Sequence, residues 1–192
     1  MGEEGYCLKI EPSSITITAN TAQGLFYARK TLEQLMLSDT IPCVTIEDTP
    51  RFSYRGFMLD SVRHMQSVDD IKKIVDVAAL LKFNVFHWHL SDDQGFRIES
   101  EKFPELNVKG SFREGDDFGS RHVKERYGGF YTKAEIRDVV AYCAERFIEV
   151  IPEIDLPGHT TALISTYPNL SCRNEQIAVK TKQGIFEDIL CA

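Results

Sequence analysis

Residues 82–99 read KFNVFHWHLSDDQGFRIE. The run Asn84–Leu90 (NVFHWHL) is short, continuous and dominated by apolar and aromatic side chains. That is the pattern of a strand covered on both faces. It ends in Asp92-Asp93-Gln94-Gly95, residue types that favour a turn. Two similar runs flank it. Phe57-Met58-Leu59 leads into Asp60, and Ile148–Ile154 (IEVIPEI) leads into Asp155. Helical patterns separate the three. Ser67, with Asp70 as capping-box partner, opens one whose expected buried stripe is Ile71, Ile74, Val75, Ala78 and Leu81. Thr132, with Glu135, opens another with Ile136, Val139, Val140 and Cys143 on one face. Strand, helix, strand, helix, strand predicts an α/β fold built on a parallel sheet with right-handed crossovers. The long polar, glycine-containing stretch from Ser91 to about Tyr131 is expected to be a loop.

The first fifty residues have a different rhythm. Tyr6–Ile10 and Ile15–Thr18 alternate like strands around a Pro12-Ser13-Ser14 turn. Asn20 or Thr21 is placed to cap a helix running to about Leu37, with Leu25, Ala28, Leu32, Leu35 and Met36 on its apolar face. Cys43–Ile46 reads as one more strand, and Asp48-Thr49-Pro50 breaks the pattern. The expected division is a small α+β domain over residues 1–50 and a second domain over 51–192.

Composition narrows the function classes. Of 192 residues 29 are acidic and 22 basic, a formal charge of −7, which argues against nucleic acid or an anionic membrane surface as partner. No apolar run approaches the ~18 residues of a membrane span. The start, MGEEGYCLKI, lacks a basic stretch followed by an apolar one and has no Ser or Thr at the myristoylation position. If that start is genuine, a cytoplasmic location is expected; otherwise the compartment stays unknown. Five cysteines without a C-x-x-C spacing point to reduced, mostly structural thiols rather than a disulfide framework or a zinc ribbon.

In parallel α/β architectures reactive groups gather at the carboxyl ends of the strands. Here those ends carry Asp60, Arg63 and His64, then His87, His89, Asp92 and Asp93, then Glu153, Asp155 and His159. Of the five histidines, only His122 lies elsewhere. Each group has an ordinary alternative. Arg63 can simply pair with Asp60, the Asp-Asp-Gln-Gly run can be a plain turn, and a strand histidine is often a hydrogen-bonded core residue. His87 and His89 share one strand face, with Trp88 on the other as packing under the covering helices. Three strand ends converging on one mouth support function. Two chemistries fit. One is a metal site using His87, His89, Asp92 and His159. The other is a carbohydrate site in which Arg63 and carboxylates grip hydroxyls while an Asp–His pair tunes a proton donor.

Four ordered segments then carry a resemblance: RGFMLDSVRH (Arg55–His64), KFNVFHWHLSDDQGFRIE (Lys82–Glu99), FPEL (Phe103–Leu106) and VIPEIDLPGH (Val150–His159). The chain resembles glycoside hydrolase family 20, the β-N-acetylhexosaminidases. GGFYTKAEI (Gly128–Ile136) fits as well, and residues 6–50 resemble the small domain that precedes the barrel in this family. The resemblance implies a (β/α)8 TIM barrel and removal of terminal N-acetylglucosamine or N-acetylgalactosamine from glycans with retention. The mechanism it implies is substrate-assisted, with no cofactor and no metal. It implies that Arg63 binds sugar hydroxyls and that Asp92 and His159 form a supporting relay, with His89 close by behind them. The family's polarising Asp and acid Glu sit in a Gly-Gly-Asp-Glu-like segment on strand four, and no such segment occurs in the 192 residues. From Pro50 only about 140 residues remain, against the ~250 of a full barrel. The expectation is therefore an amino-terminal fragment with about the first three βα units, inactive alone, whose third strand leaves an unpaired edge. Its rivals are a metal-dependent barrel hydrolase and a catalytically inactive sugar-binding remnant. Oligomeric state is left open.

Overall fold

The structure, a computed structural model, describes residues 1–191. It is α/β, and its contacts divide it into two compact units. The first comprises Met1–Phe57, Asp69–Phe86 and Ala141–Glu149, and the second Met58–Val68, His87–Val140 and Val150 onward.

In the first unit, β1 (Tyr6–Glu11) pairs antiparallel with both β2 (Ser14–Ala19) and β3 (Val44–Asp48), giving the order β2-β1-β3. Helix α1 (Ala22–Leu35) packs on this sheet. Its cap is Thr21, whose Oγ1 accepts from the Gly24 amide at 3.1 Å. Tyr6, Leu8 and Ile10 on β1 and Tyr27 and Ala28 on α1 form the core. The expected helix face is corrected by about one residue. Ala28 is buried and Leu32 and Leu35 pack against the core as expected, but Leu25 and Met36 are exposed and Gly24 and Tyr27 are buried in their place. Space at Gly24 explains the shift, because a Cβ there would lie 2.6 Å from the Gly5 carbonyl oxygen, so only glycine admits this approach. Helix α2 (Val68–Leu80) buries Ile71, Val75, Ala78 and Ala79, while Leu81, placed in its stripe by periodicity, is exposed.

Strands β4 (Gly56–Asp60), β5 (Val85–His89) and β10 (Glu149–Glu153) form a sheet in the order β10-β5-β4. The Asn84 amide donates to Arg55 and its carbonyl accepts from Glu149 at one end. At the other, Ser61 donates to His89 and Leu90 to Glu153. All three strands therefore run the same way, as expected.

The second unit holds the strand ends and the segments that extend from them. β6 (Ser91–Asp92) and β7 (Gly95–Phe96) form a minimal hairpin with Asp93-Gln94 at its turn. The expected long loop is largely structured. β8 (Phe112–Phe118) and β9 (Arg121–Gly128) form a second hairpin, turning at Gly119, where φ is +59°. Neither strand alternates apolar and polar residues, so periodicity gives no strand signal there. Helix α3 (Lys133–Ala144) opens with the expected capping box. The Glu135 carboxylate accepts from the Thr132 amide at 2.7 Å, and the Glu135 amide donates back to Thr132 Oγ1 at 3.2 Å. Helix α4 (Thr161–Thr166) comes after β10. Trp88 is fully buried against Tyr131, with its Nε1 donating to Ser61 Oγ at 2.9 Å.

The cysteine expectation is corrected in part. Cys7, Cys43 and Cys143 are free, but Cys172 and Cys191 form a disulfide with Cα atoms 4.8 Å apart. The chain returns on itself through a Ser171–Leu190 antiparallel bridge, which brings the two together. A sequence separation of 19 carries no such information.

Candidate active site

Each strand end contributes a group, and all of them lie in the second unit. At the end of β4, Asp60 Oδ1 accepts from the amides of Val62 and Arg63 at 2.9 and 3.0 Å, and its Oδ2 accepts from Arg63 Nη1 at 2.8 Å. One carboxylate thus fixes both the backbone turn and the side chain of Arg63. Arg63 Nε donates to Gln94 Oε1 at 3.0 Å, and its Nη2 meets Asp92 Oδ2 at 2.5 Å.

Asp92 is the hub. It is 1% exposed, and burying a carboxylate is costly unless it is fully partnered. Its Oδ2 faces Arg63 and, at 2.9 Å, His89 Nε2. Its Oδ1 accepts from the Asp93 amide at 2.6 Å and His159 Nδ1 at 2.9 Å. Burial pushes its pKa up, but the His89 hydrogen bond, the Asp93 amide and the charges of Arg63 and His159 more than offset this and hold it below the ordinary value.

His89 Nδ1 faces Glu153 Oε1 at 2.8 Å, so both ring nitrogens meet carboxylate oxygens, an arrangement that favours the doubly protonated ring. Burial opposes that charge, yet the bonds to Asp92 and Glu153 win and raise its pKa. With Nε2 a donor, the 3.2 Å approach of Arg63 Nη1 sets donor against donor and is no bond. Glu153 also pairs with His87. Burial and then Glu153 raise the Asp155 pKa, whereas Glu153 itself is lowered despite its burial.

His159 stands at φ +53°, a left-handed conformation few non-glycine residues adopt. There its Nδ1 reaches Asp92 and, at 3.2 Å, Asp93 Oδ2. Asp93 is anchored in turn by the amide and hydroxyl of Thr161 at the start of α4, at 3.1 and 2.6 Å. With Nδ1 as donor, Nε2 of this 45% exposed side chain is left toward solvent. Burial lowers the His159 pKa, but Asp92 and then Asp93 raise it further, and it ends above the ordinary value.

Arg63, His89, Asp92 and His159, named from the sequence, therefore meet in one network. His64 does not join it, since its Nε2 faces Asp116 at 3.0 Å. His122 pairs with Asp117 across the β8–β9 hairpin. Glu153 was legible as a strand-end carboxylate but without its role as the shared partner of His87 and His89. Gln94, fully buried, was legible only as a turn residue. Arg97 and Arg113, both buried in this unit, carry no sequence signal, because arginine is rarely buried.

Two carboxylate–imidazole groups, His89, Asp92 and Asp155, and Asp92, Asp93 and His159, hold donor atoms within 4.8 Å of one another. A metal needs free lone pairs, however. Both His89 nitrogens and Nδ1 of His159 already face carboxylate oxygens at hydrogen-bond distance, and both Asp92 oxygens are engaged by donors within the protein. This donor set suits a proton-holding network better than a cation.

Residues 52–192 match the profile described as "Glycosyl hydrolase family 20, catalytic domain", and residues 1–49 match "Glycosyl hydrolase family 20, domain 2". A beta-hexosaminidase of Porphyromonas gingivalis is 44% identical over 99% of this chain and 25% of its own length. A crystal structure of a beta-N-acetylhexosaminidase superposes with a TM-score of 0.93 at 38% identity, over 100% of this chain and 41% of that one. The Streptomyces plicatus N-acetyl-beta-hexosaminidase, solved with Thio-NAglucal, gives 0.86 at 40% identity, over 99% and 39%. The chain thus spans between a quarter and about two fifths of the length of these relatives. With both profiles matched in order and the Arg63–Asp92–His159 network assembled at the strand ends, the chain belongs to glycosyl hydrolase family 20.

Proposed function

We propose that the whole protein is an exo-acting β-N-acetylhexosaminidase. It releases terminal N-acetylglucosamine or N-acetylgalactosamine with retention, the substrate's own acetamido oxygen attacking the anomeric carbon. One observation carries the part played by this chain. A guanidinium has five N–H donors, and Arg63 commits one each to Gln94, Asp60 and Asp92. Two remain, one on each terminal nitrogen, on a side chain 26% exposed. A rigid fork with two spare donors suits two neighbouring sugar hydroxyls. Asp92 holds His159 by Nδ1, which leaves Nε2 to meet the proton-donating carboxyl and steady its proton. That carboxyl and the polarising Asp are not among these 192 residues, so the chain alone is expected to turn over no substrate.

The domain reading is a small α+β domain over 1–50 followed by about three βα units of a barrel. Supporting it, the outer strands β4 and β10 leave Met58 54% and Ile151 40% exposed, apolar surface of the kind further barrel strands and helices cover.

Hydrolysis of 4-nitrophenyl N-acetyl-β-D-glucosaminide by the whole protein tests the reading. Arg63→Lys keeps the charge and loses the fork. The expected outcome is a KM rise of about tenfold or more, in line with the loss of one to two charged hydrogen bonds. An unchanged KM would remove Arg63 from the sugar site. No turnover of N-acetylhexosaminides by the unsubstituted whole protein would overturn the function itself.

A further inference from the structure

Beneath the network lie two guanidiniums that the proposed mechanism does not use. Arg97 and Arg113 are 0% and 1% exposed. Arg97 Nη2 donates to the carbonyls of Val62 and Gln94 at 2.8 and 3.4 Å, and its Nη1 donates to those of Ser111 and Gly129. Arg113 Nη2 donates to the Arg63 carbonyl at 2.7 Å and to Asp116 Oδ1 at 2.8 Å. Its Nη1 lies 3.3 and 3.5 Å from the carbonyls of Gln94 and Val62. The two side chains therefore share the same carbonyl acceptors. Those acceptors belong to the two turns that carry Arg63 and Gln94, whose side chains bond each other at 3.0 Å.

We infer that Arg97 and Arg113 are positioning residues for substrate binding, suspending both partners of the Arg63–Gln94 pair from one buried double fork. The inference rests on the reading of Arg63 as the sugar-binding group. Three observations support it. Turn carbonyls lack ladder partners, and a buried carbonyl needs a donor. Two buried cations are an expensive way to supply donors for stability alone, with Asp116 the one ion-pair partner to either among the described residues. Burial, and then Arg113, lower the Arg97 pKa to about 10, a sign of that cost. Room for the fork is also built in. A Cβ on Gly95 would lie 2.5 Å from Arg97 Cζ, so the turn next to Gln94 keeps a residue with no side chain.

A double-mutant cycle on the whole protein tests this, with KM and kcat for 4-nitrophenyl N-acetyl-β-D-glucosaminide and the thermal midpoint as readouts. Arg113→Lys keeps a buried cation and loses the fork. It is expected to raise KM about tenfold while kcat changes less than about threefold, and to add less than about twofold to KM in an Arg63→Lys background. Gly95→Ala, which displaces Arg97 by contact, is expected to behave alike and serves if Arg113→Lys does not fold. A merely structural role would lower the thermal midpoint and the active fraction, hence kcat, and leave KM alone. That result overturns the inference, as does a tenfold KM effect that persists undiminished without Arg63. Arg63→Lys by itself, leaving KM unchanged, marks failure of the underlying reading and is visible separately.

Discussion

Asp92 shows how much one side chain organises. Four donors converge on its two oxygens, from Arg63, His89, Asp93 and His159. Arg63 and His159 arrive from beyond the ends of the two neighbouring strands, His89 from the end of β5 and Asp93 from the same hairpin, so the carboxylate sets the relative placement of the strand ends as well as the charge of its neighbours. The consequence at His159 is measurable. Its pKa stands above the ordinary 6.5 because Asp92, and then Asp93, outweigh its burial. Asp92→Asn removes the largest attractive charge and is expected to move the His159 titration midpoint down, read by NMR of the ring protons. A midpoint that stays put would mean that Asp93 holds the charge instead. The left-handed backbone at His159 belongs to the same argument, because the strain is sustained by the two carboxylates that receive Nδ1.

At the level of elements, local and non-local devices differ in legibility. The Thr132/Glu135 capping box and the Thr21 cap are local, and both were readable from residue types and spacing. The β8–β9 hairpin was not, because Arg113 and Asp116 turn inward to pair with each other rather than to pack as apolar residues. The Cys172–Cys191 disulfide is the clearest non-local case. It closes a segment whose Lys180 amide donates to Asp93 and whose Lys182 carbonyl accepts from Gln94, with the Thr181 carbonyl accepting from Asp117. The bridge therefore braces the turn that carries Asp93 and Gln94. Cys172→Ser is expected to cost about 3 kcal/mol, the chain-entropy value for a loop of this size. Calorimetry with and without reductant checks it, and identical melting of variant and wild type would show that the bridge adds nothing.

For the whole molecule, the coupled charges make stability depend on pH with a definite sign. His89 has a raised folded pKa, so its contribution is complete below the unfolded value near 6.5 and is lost as pH rises through the folded value. Asp92 and Glu153 are lowered, so theirs is complete above about 4 to 4.5 and is lost as pH falls through the folded values. The stability difference between wild type and His89→Gln is therefore expected to be largest between about pH 4.5 and 6.5 and to shrink above that, in urea titrations at stepped pH. A difference that grows with pH would reverse the assignment of His89 as the charged partner.

The alternation of β4, α2, β5, α3 and β10, the parallel sheet, the Thr21 and Thr132 caps and the gathering of Arg63, His89, Asp92 and His159 at strand ends were determined by the sequence. These depend on period, residue type and the direction of the chain, which are local properties. Three things were decided only by the tertiary structure: the disulfide, the β8–β9 hairpin, and the burial of Arg97 and Arg113 beneath the Arg63 and Gln94 turns. Each depends on which distant backbone carbonyl, carboxylate or thiol ends up within bonding distance. No periodicity along the chain encodes that proximity, because it is set by how the turns pack after the strands have paired.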